Sequence, residues 1–532
     1  MKRTWPLGDL SMLLLLALVL RLLTAWALRQ PGYTDAYYYA VGARQLYDGK
    51  GFSEPFLWNY LDPPAALPHP GYLYWMPLAA ILGWLGMEVL GPAFRGLQAP
   101  FVLLSALLPP LTYGLAWDLG GSIARSPRQR RRYALLAGLL ALFPGFYAHF
   151  LVLPDNFTPY ALAGALCLWA AGRGLLQGQP LWFVLAGLAA GFGHLSRADG
   201  LLLPGIVLAA ALAQLWPAAG GRGGVRQALA GAALGLMGYL CVMAPWFARN
   251  WEVTGQALPT SGTQTMFLTH YDDMFAYGRP LTVESYLAWG WPAILQSKVQ
   301  ALALNLQRLW AEALIIVLLP FAGLGLWRLR RDRLLWPFFL YLPLLFLAMT
   351  LAFTFPGMRG GLFHSAAALQ VFFMATAGPG LESTLLWAAR HRHGWHLDRA
   401  WRPFSAGLVA LAVLVTAFAL WRGGVLNGDW NRRDWGYDEI GRWLAEQGEA
   451  GALVMVGDAP AFSWHTGQPA IAIPNEPPDV IVAVAGQYGA RYLVLDTSRP
   501  RTTDALYHGE KDHPDLALLH QVSKWQLYRI QP

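Results

Sequence analysis

Apolar positions along the chain gather into long runs instead of alternating with polar ones. Runs at about 10–29, 96–117, 134–152, 157–172, 181–195, 200–216, 228–247, 309–327, 335–354, 362–385 and 404–421 approach the roughly 20 residues that carry an α-helix across a bilayer. They predict about eleven spans. A further apolar stretch, 72–90, contains Pro77, Gly83 and Glu88, which suits a helix lying along the membrane surface. After Trp421 the pattern becomes globular. Ile440, Trp443 and Leu444 mark a short amphipathic helix; Ala452–Val456 and Tyr492–Leu495 read as buried strands with a helix at Pro478–Tyr488 between them; Leu516–Leu519 and Trp525–Ile530 read as a closing strand pair. The expected fold is therefore a polytopic α-helical membrane protein with outer-face loops and a small C-terminal α/β domain. Its transmembrane domain would occupy 1–421 and the α/β domain 422–532.

Composition agrees. Of 532 residues 55% are hydrophobic and 13% charged, against roughly 25% charged in a soluble domain, which excludes a purely soluble enzyme. The net charge of +8 belongs to the membrane part, because residues 429–532 hold 14 acidic against 9 basic residues. Cys167 and Cys241 both fall in apolar runs, which leaves neither a disulfide framework nor a cysteine metal site.

Charge also predicts orientation. Four basic connectors carry Arg125, Arg128 and Arg130–Arg132; Arg222 and Arg226; Arg328, Arg330, Arg331 and Arg333; and Arg390, Arg392, Arg399 and Arg402. All four face the cytoplasm provided that 72–90 does not cross. Residues 30–95, the Pro154–Asn156 turn, the long loop 248–308, 355–361 and the tail are then outside. Met1–Gln30 could also be a cleaved signal peptide, since Lys2 and Arg3 precede an apolar run and Ala25-Trp26-Ala27 resembles a cleavage site. Arg21 in this run is expected to snorkel or to pair inside the bundle.

Two outer carboxylates have chemistry to offer. Asp35 opens a helix just beyond the first span, with Thr34 as its expected N-cap; it is either a first-turn acid complementing the helix dipole or a base that takes a proton from an acceptor hydroxyl. In the short turn Leu153-Pro154-Asp155-Asn156 either Asp155 or Asn156 starts the following helix as its cap, or Asp155 is a second carboxylate on the same membrane face.

These residues, the loop ending His69-Pro70-Gly71-Tyr72-Leu73-Tyr74, Leu195-Ser196-Arg197-Ala198-Asp199-Gly200, Ala244-Pro245-Trp246-Phe247-Ala248-Arg249-Asn250 and Arg359-Gly360-Gly361 together resemble the C-type superfamily of membrane glycosyltransferases. The branch resembled is that of the protein O-mannosyltransferases and lipid A aminoarabinose transferases, and the resemblance covers about residues 1–421. It implies a donor sugar on a polyprenyl phosphate, Asp35 as base, and an acceptor that is a protein, a glycan or a lipid. Members of the family often follow the aspartate with a second acid where this chain has Ala36, so Asp155 becomes the candidate second carboxylate.

Arg197, Arg249 and Arg359 near outer span ends are candidates for the donor phosphate, because guanidinium groups match phosphate oxygens bidentately; each is otherwise an interfacial arginine. His69, Tyr72, His270 and Asp272 are candidate substrate-loop residues. A divalent metal ion is the one cofactor such His and Asp side chains could take, although the spacing matches no closed site. In the tail, Asp434-Trp435-Gly436-Tyr437 resembles the Trp-Trp-Asp-Tyr-Gly signature of oligosaccharyltransferases in composition but not in order. The expected activity is inverting sugar transfer at the outer face of a bacterial plasma membrane, among membrane lipid and with no nucleic-acid partner. The rival expectations are a non-catalytic binder of lipid-linked glycans and a lipid or solute transporter; a transporter would show mid-membrane ionisable groups or inverted repeats.

Overall fold

A computed structural model describes residues 6–215, 224–259 and 261–531. Lys2, Arg3 and Arg222 of the sequence expectations lie outside the described residues. The chain is a polytopic bundle of apolar helices with a small sheet built largely from its C-terminal part.

Every predicted apolar run falls on helix, but not every run is one clean span. Among the described residues seven helices are long and apolar enough to cross a membrane, and Pro127–Leu142 with Gly145–Val152, bent by 47°, makes an eighth if the pair is one span. The other three runs show why eleven was the expectation. Phe157–Gln177 is buried along most of its length and carries Arg173, paired with Asp118; a helix surrounded by other helices does not need the hydropathy that lipid demands. Leu181–Ser196 has only 16 residues. The run 309–327 is interrupted where Ile315 and Ile316 adopt positive φ, so its two helical pieces end and restart mid-run.

Arg21 is buried, and its guanidinium donates to the carbonyls of Ala141 and Leu142 at 3.4 Å. Those carbonyls belong to the last turn of Pro127–Leu142, where the bend leaves them without helical partners. The arginine therefore pairs inside the bundle. Leu78–Leu90 spans 13 residues, about 20 Å of helix against the roughly 30 Å of a hydrocarbon core, and exposes Leu85, Val89 and Leu90. Both features suit a surface helix.

Ion pairs gather three of the basic connectors at one end of the bundle: Arg131 with Asp9, Arg132 with Asp398, and Arg328 with Glu382. At the other end lie the 31–93 loop and the sheet. The sheet orders its six strands as Phe56–Leu57, Ala470–Ala472, Val454–Val456, Tyr492–Leu495, Trp525–Ile530 and Leu516–Val522, the first four parallel and the last two antiparallel. The three C-terminal parallel strands are wholly buried, as their continuous apolar runs require when both faces are covered. The strand at 470–472 and the Ala459–Thr466 helix add to the elements read from the sequence, and so does the edge strand from the first loop, in which Phe56 faces Ala470 and Leu57 faces Ile471. Two residues carry no period of their own; only the docked loop makes them a strand.

Candidate active site

The first span ends at Ala27, and the connector after it passes through Gly32, at φ +80, where a Cβ would meet the Trp430 indole at 2.3 Å. Only glycine lets the chain turn this closely into the Thr34–Tyr47 helix. Thr34 is not its N-cap: Tyr33 holds that place, and the Thr34 hydroxyl donates instead to Asp458 at 2.7 Å. Asp35, in the first turn, keeps 28% of its side chain exposed, whereas Asp155 is fully buried. Nor does Asp155 cap the helix after it. Asn156 occupies the N-cap position without a side-chain cap bond, and Asp155 accepts the Tyr33 hydroxyl.

His364 joins the two carboxylates. It lies in the first turn of Leu362–His391, Nδ1 donates to the Gly360 carbonyl at 2.9 Å, and Nε2 lies 3.5 Å from an oxygen of both Asp35 and Asp155. Phe157 stacks on the ring at 3.9 Å. Because Nδ1 donates to the carbonyl, Nε2 faces two carboxylates, and it has no hydrogen-bond partner among the described residues. The arrangement suits a cation at its centre. Donor atoms of the three residues lie within 4.8 Å of one another, and a nitrogen with two carboxylate oxygens is an ordinary divalent-metal set whose histidine is oriented by its backbone bond. Burial, and next the Asp155 charge, push the Asp35 carboxyl above the usual range; His364 and Arg197 pull it back.

Asp35 and His364 open into a cavity of about 640 Å³ that Arg197 and Arg359 also line, with Trp58, Trp75 and Tyr271 as aromatic wall. Arg197 is held by Asp199 at 2.9 Å and Ser365 at 3.0 Å, and reaches Asn156 at 3.4 Å. The Arg359 guanidinium lies over Tyr271 at 4.8 Å and makes no side-chain hydrogen bond within the described residues. Asp458, Arg499 and Arg501 of the C-terminal α/β unit line the same space; burial pushes the Asp458 carboxyl up to about 7 against the Thr34 bond.

No protein-family model and no curated protein matches the sequence. Solved structures do match in fold. ArnT from Cupriavidus metallidurans bound to undecaprenyl phosphate superposes with a TM-score of 0.56 over 99% of this chain and 98% of that one, at 14% identity. Archaeal oligosaccharyltransferase AglB from Archaeoglobus fulgidus, in complex with an inhibitory peptide and a dolichol-phosphate, superposes with 0.53 over 93% of this chain and 70% of that one, also at 14% identity. The chain has their fold. The fold that the motif resemblance implied is thus the fold found.

The structure brings Asp35, Asp155, Arg197 and Arg359 together, with Asp272 on the cavity wall. It places two other candidates, Tyr72 and His69, around a buried carboxylate that sequence reasoning passed over, Glu54. Glu54 accepts the Tyr72 amide at 2.8 Å and the Tyr38 hydroxyl, and His69 lies 3.6 Å away. Arg249 donates to the Phe52 carbonyl at 3.1 Å and lies over Trp246, outside the lining of the main cavity. His270 is 69% exposed in its side chain and caps the Tyr271–Phe275 turn. The largest omission from the sequence reading is His364. Its signal was available: an ionisable residue at the start of a late span generally faces the bundle interior or an aqueous cavity.

Proposed function

We propose that the protein transfers a sugar from a polyprenyl-phosphate donor to an acceptor at the outer face of a bacterial plasma membrane, with inversion at the anomeric carbon. The observation that carries this reading is the convergence of Asp35, His364 and two arginines on one cavity, with Asp155 buried behind Asp35 and His364, in a fold shared with structures that hold undecaprenyl phosphate or dolichol-phosphate. Asp35 takes the proton of the attacking acceptor group as the new glycosidic bond forms. The bond from the anomeric carbon to the phosphate oxygen breaks on the opposite side, and the phosphate departs with its growing negative charge toward Arg197 and Arg359. Asp155, fully buried, keeps Asp35 in a strongly negative setting and orients Tyr33. Incubation with a panel of labelled polyprenyl-phosphate sugars is expected to release polyprenyl phosphate. Donor binding without release across the panel would identify a binder in place of a transferase.

Asp35, Asp155 and His364 would hold a divalent ion, which would supply fixed positive charge in the site. Exhaustive chelation is expected to lower turnover at least tenfold, with recovery on adding Mn²⁺ or Mg²⁺. Unchanged turnover would overturn the ion.

In this reading the cavity and the C-terminal sheet are outside, which the basic connectors at the opposite end of the bundle support. A reporter fused after Pro532 is expected to be active only in its extracytoplasmic form; activity of a cytoplasm-only reporter would reverse the orientation.

A further inference from the structure

The helix that carries Asp35 is tied along one face to the C-terminal α/β unit. Thr34 donates to Asp458 at 2.7 Å, and Asp458 is itself the N-cap of the Ala459–Thr466 helix. Tyr37, fully buried, donates to Asp434 at 2.8 Å and meets His465 Nε2 at 3.1 Å, while His465 Nδ1 faces Asp438 at 3.1 Å. Further along, Arg44 lies over the Trp464 ring at 4.5 Å. The two helices run beside each other, with the start of Ala459–Thr466 on Thr34 and its end on Tyr37 and Arg44.

Helical geometry gives this pairing a direction. At about 100° per residue, positions 34, 37 and 44 fall within one arc of roughly 80°, and position 35 lies outside it. Partly buried, directional bonds on one face fix the rotation of a helix about its axis, which nonspecific packing alone does less sharply. Catalytic groups must hold their geometry to about 0.5 Å and 10–20°, a tolerance that a small rotation of this helix would exceed at the Asp35 carboxylate.

We propose that the Ala459–Thr466 helix is a splint for the Asp35 helix, with Thr34 and Tyr37 as positioning residues that keep the Asp35 carboxylate against Asp155, His364 and the cavity. The C-terminal unit then serves the chemical step without supplying a reacting group. The rate consequence rests on the transferase reading above; the mechanical one does not.

The test uses the full-length protein with Thr34→Val and Tyr37→Phe combined, which removes both hydroxyls and keeps both shapes. Loss of positioning is expected to lower kcat by roughly ten- to a hundredfold, with the donor KM within about threefold. Thr34→Ser, which keeps the hydroxyl, is expected to retain wild-type turnover. Hydrogen exchange of the 34–47 backbone amides is expected to speed up in the double variant and not in the serine variant. Should the double variant fail to accumulate, Thr34→Val beside Thr34→Ser answers the same question. Unaltered exchange across 34–47 overturns the splint whether or not turnover is measurable, and so does an unchanged kcat with intact wild-type activity. Faster exchange in a protein whose wild-type form releases no polyprenyl phosphate would uphold the splint and sink the transferase reading.

Discussion

Asp35→Asn is expected to reduce turnover by about 10² to 10⁴, the range for removing a general base, while the protein folds and binds donor nearly as before. The alternative role of Asp35, a first-turn charge on a helix dipole, is worth only about 0.3–1 kcal/mol. The structure sharpens the contrast. Asp35 lies beside the buried Asp155, whose charge opposes its ionisation, so loss of the Asp35 charge also relieves a repulsion that offsets the lost dipole interaction. Thr34 keeps its bond to Asp458 in either form. Steady-state turnover and the thermal midpoint, measured on the same purified variant, separate the two roles. Near-normal turnover would refute Asp35 as base and direct attention to Asp155.

The second large effect concerns the donor phosphate and distinguishes two arginines that the sequence treated alike. Arg359 faces the cavity with its guanidinium over Tyr271 and no hydrogen bond of its own among the described residues; Arg249 is occupied by the Phe52 carbonyl and Asn250. A hydrogen bond to a charged group contributes about 1.5–3 kcal/mol, so Arg359→Ala is expected to weaken donor binding roughly ten- to a hundredfold. Arg359→Lys should recover only part of this, since an ammonium lacks the planar fork. Arg249→Ala should leave donor affinity within a few-fold and instead loosen the loop around Phe52. Equal losses in both alanine variants would place the phosphate elsewhere.

Much of the molecule was legible in one dimension because lipid imposes a local rule. A helix exposed to hydrocarbon must be apolar over its own length, so each of the eleven runs announces a helix, and buried parallel strands such as Val454–Val456 and Tyr492–Leu495 announce themselves by continuous apolar runs. Gly489 ends the Pro478–Tyr488 helix in the left-handed conformation. Asp35 and Asp155 stood out for a similar reason, as carboxylates at the ends of apolar segments.

What the sequence could not contain is which isolated polar residues meet. Asp35, Asp155 and His364 come from three segments more than a hundred residues apart, and no local period links them. The same holds for Glu54, for the diversion of Thr34 from capping to Asp458, for Arg249 turning to Phe52, and for the two-residue strand at 56–57 that exists only because Ala470–Ala472 pairs with it. Hydrophobic periodicity determines each element from its own residues, whereas the positions of single polar groups follow from how all the elements pack. The helices could therefore be read from the sequence, and the site only from the assembled bundle.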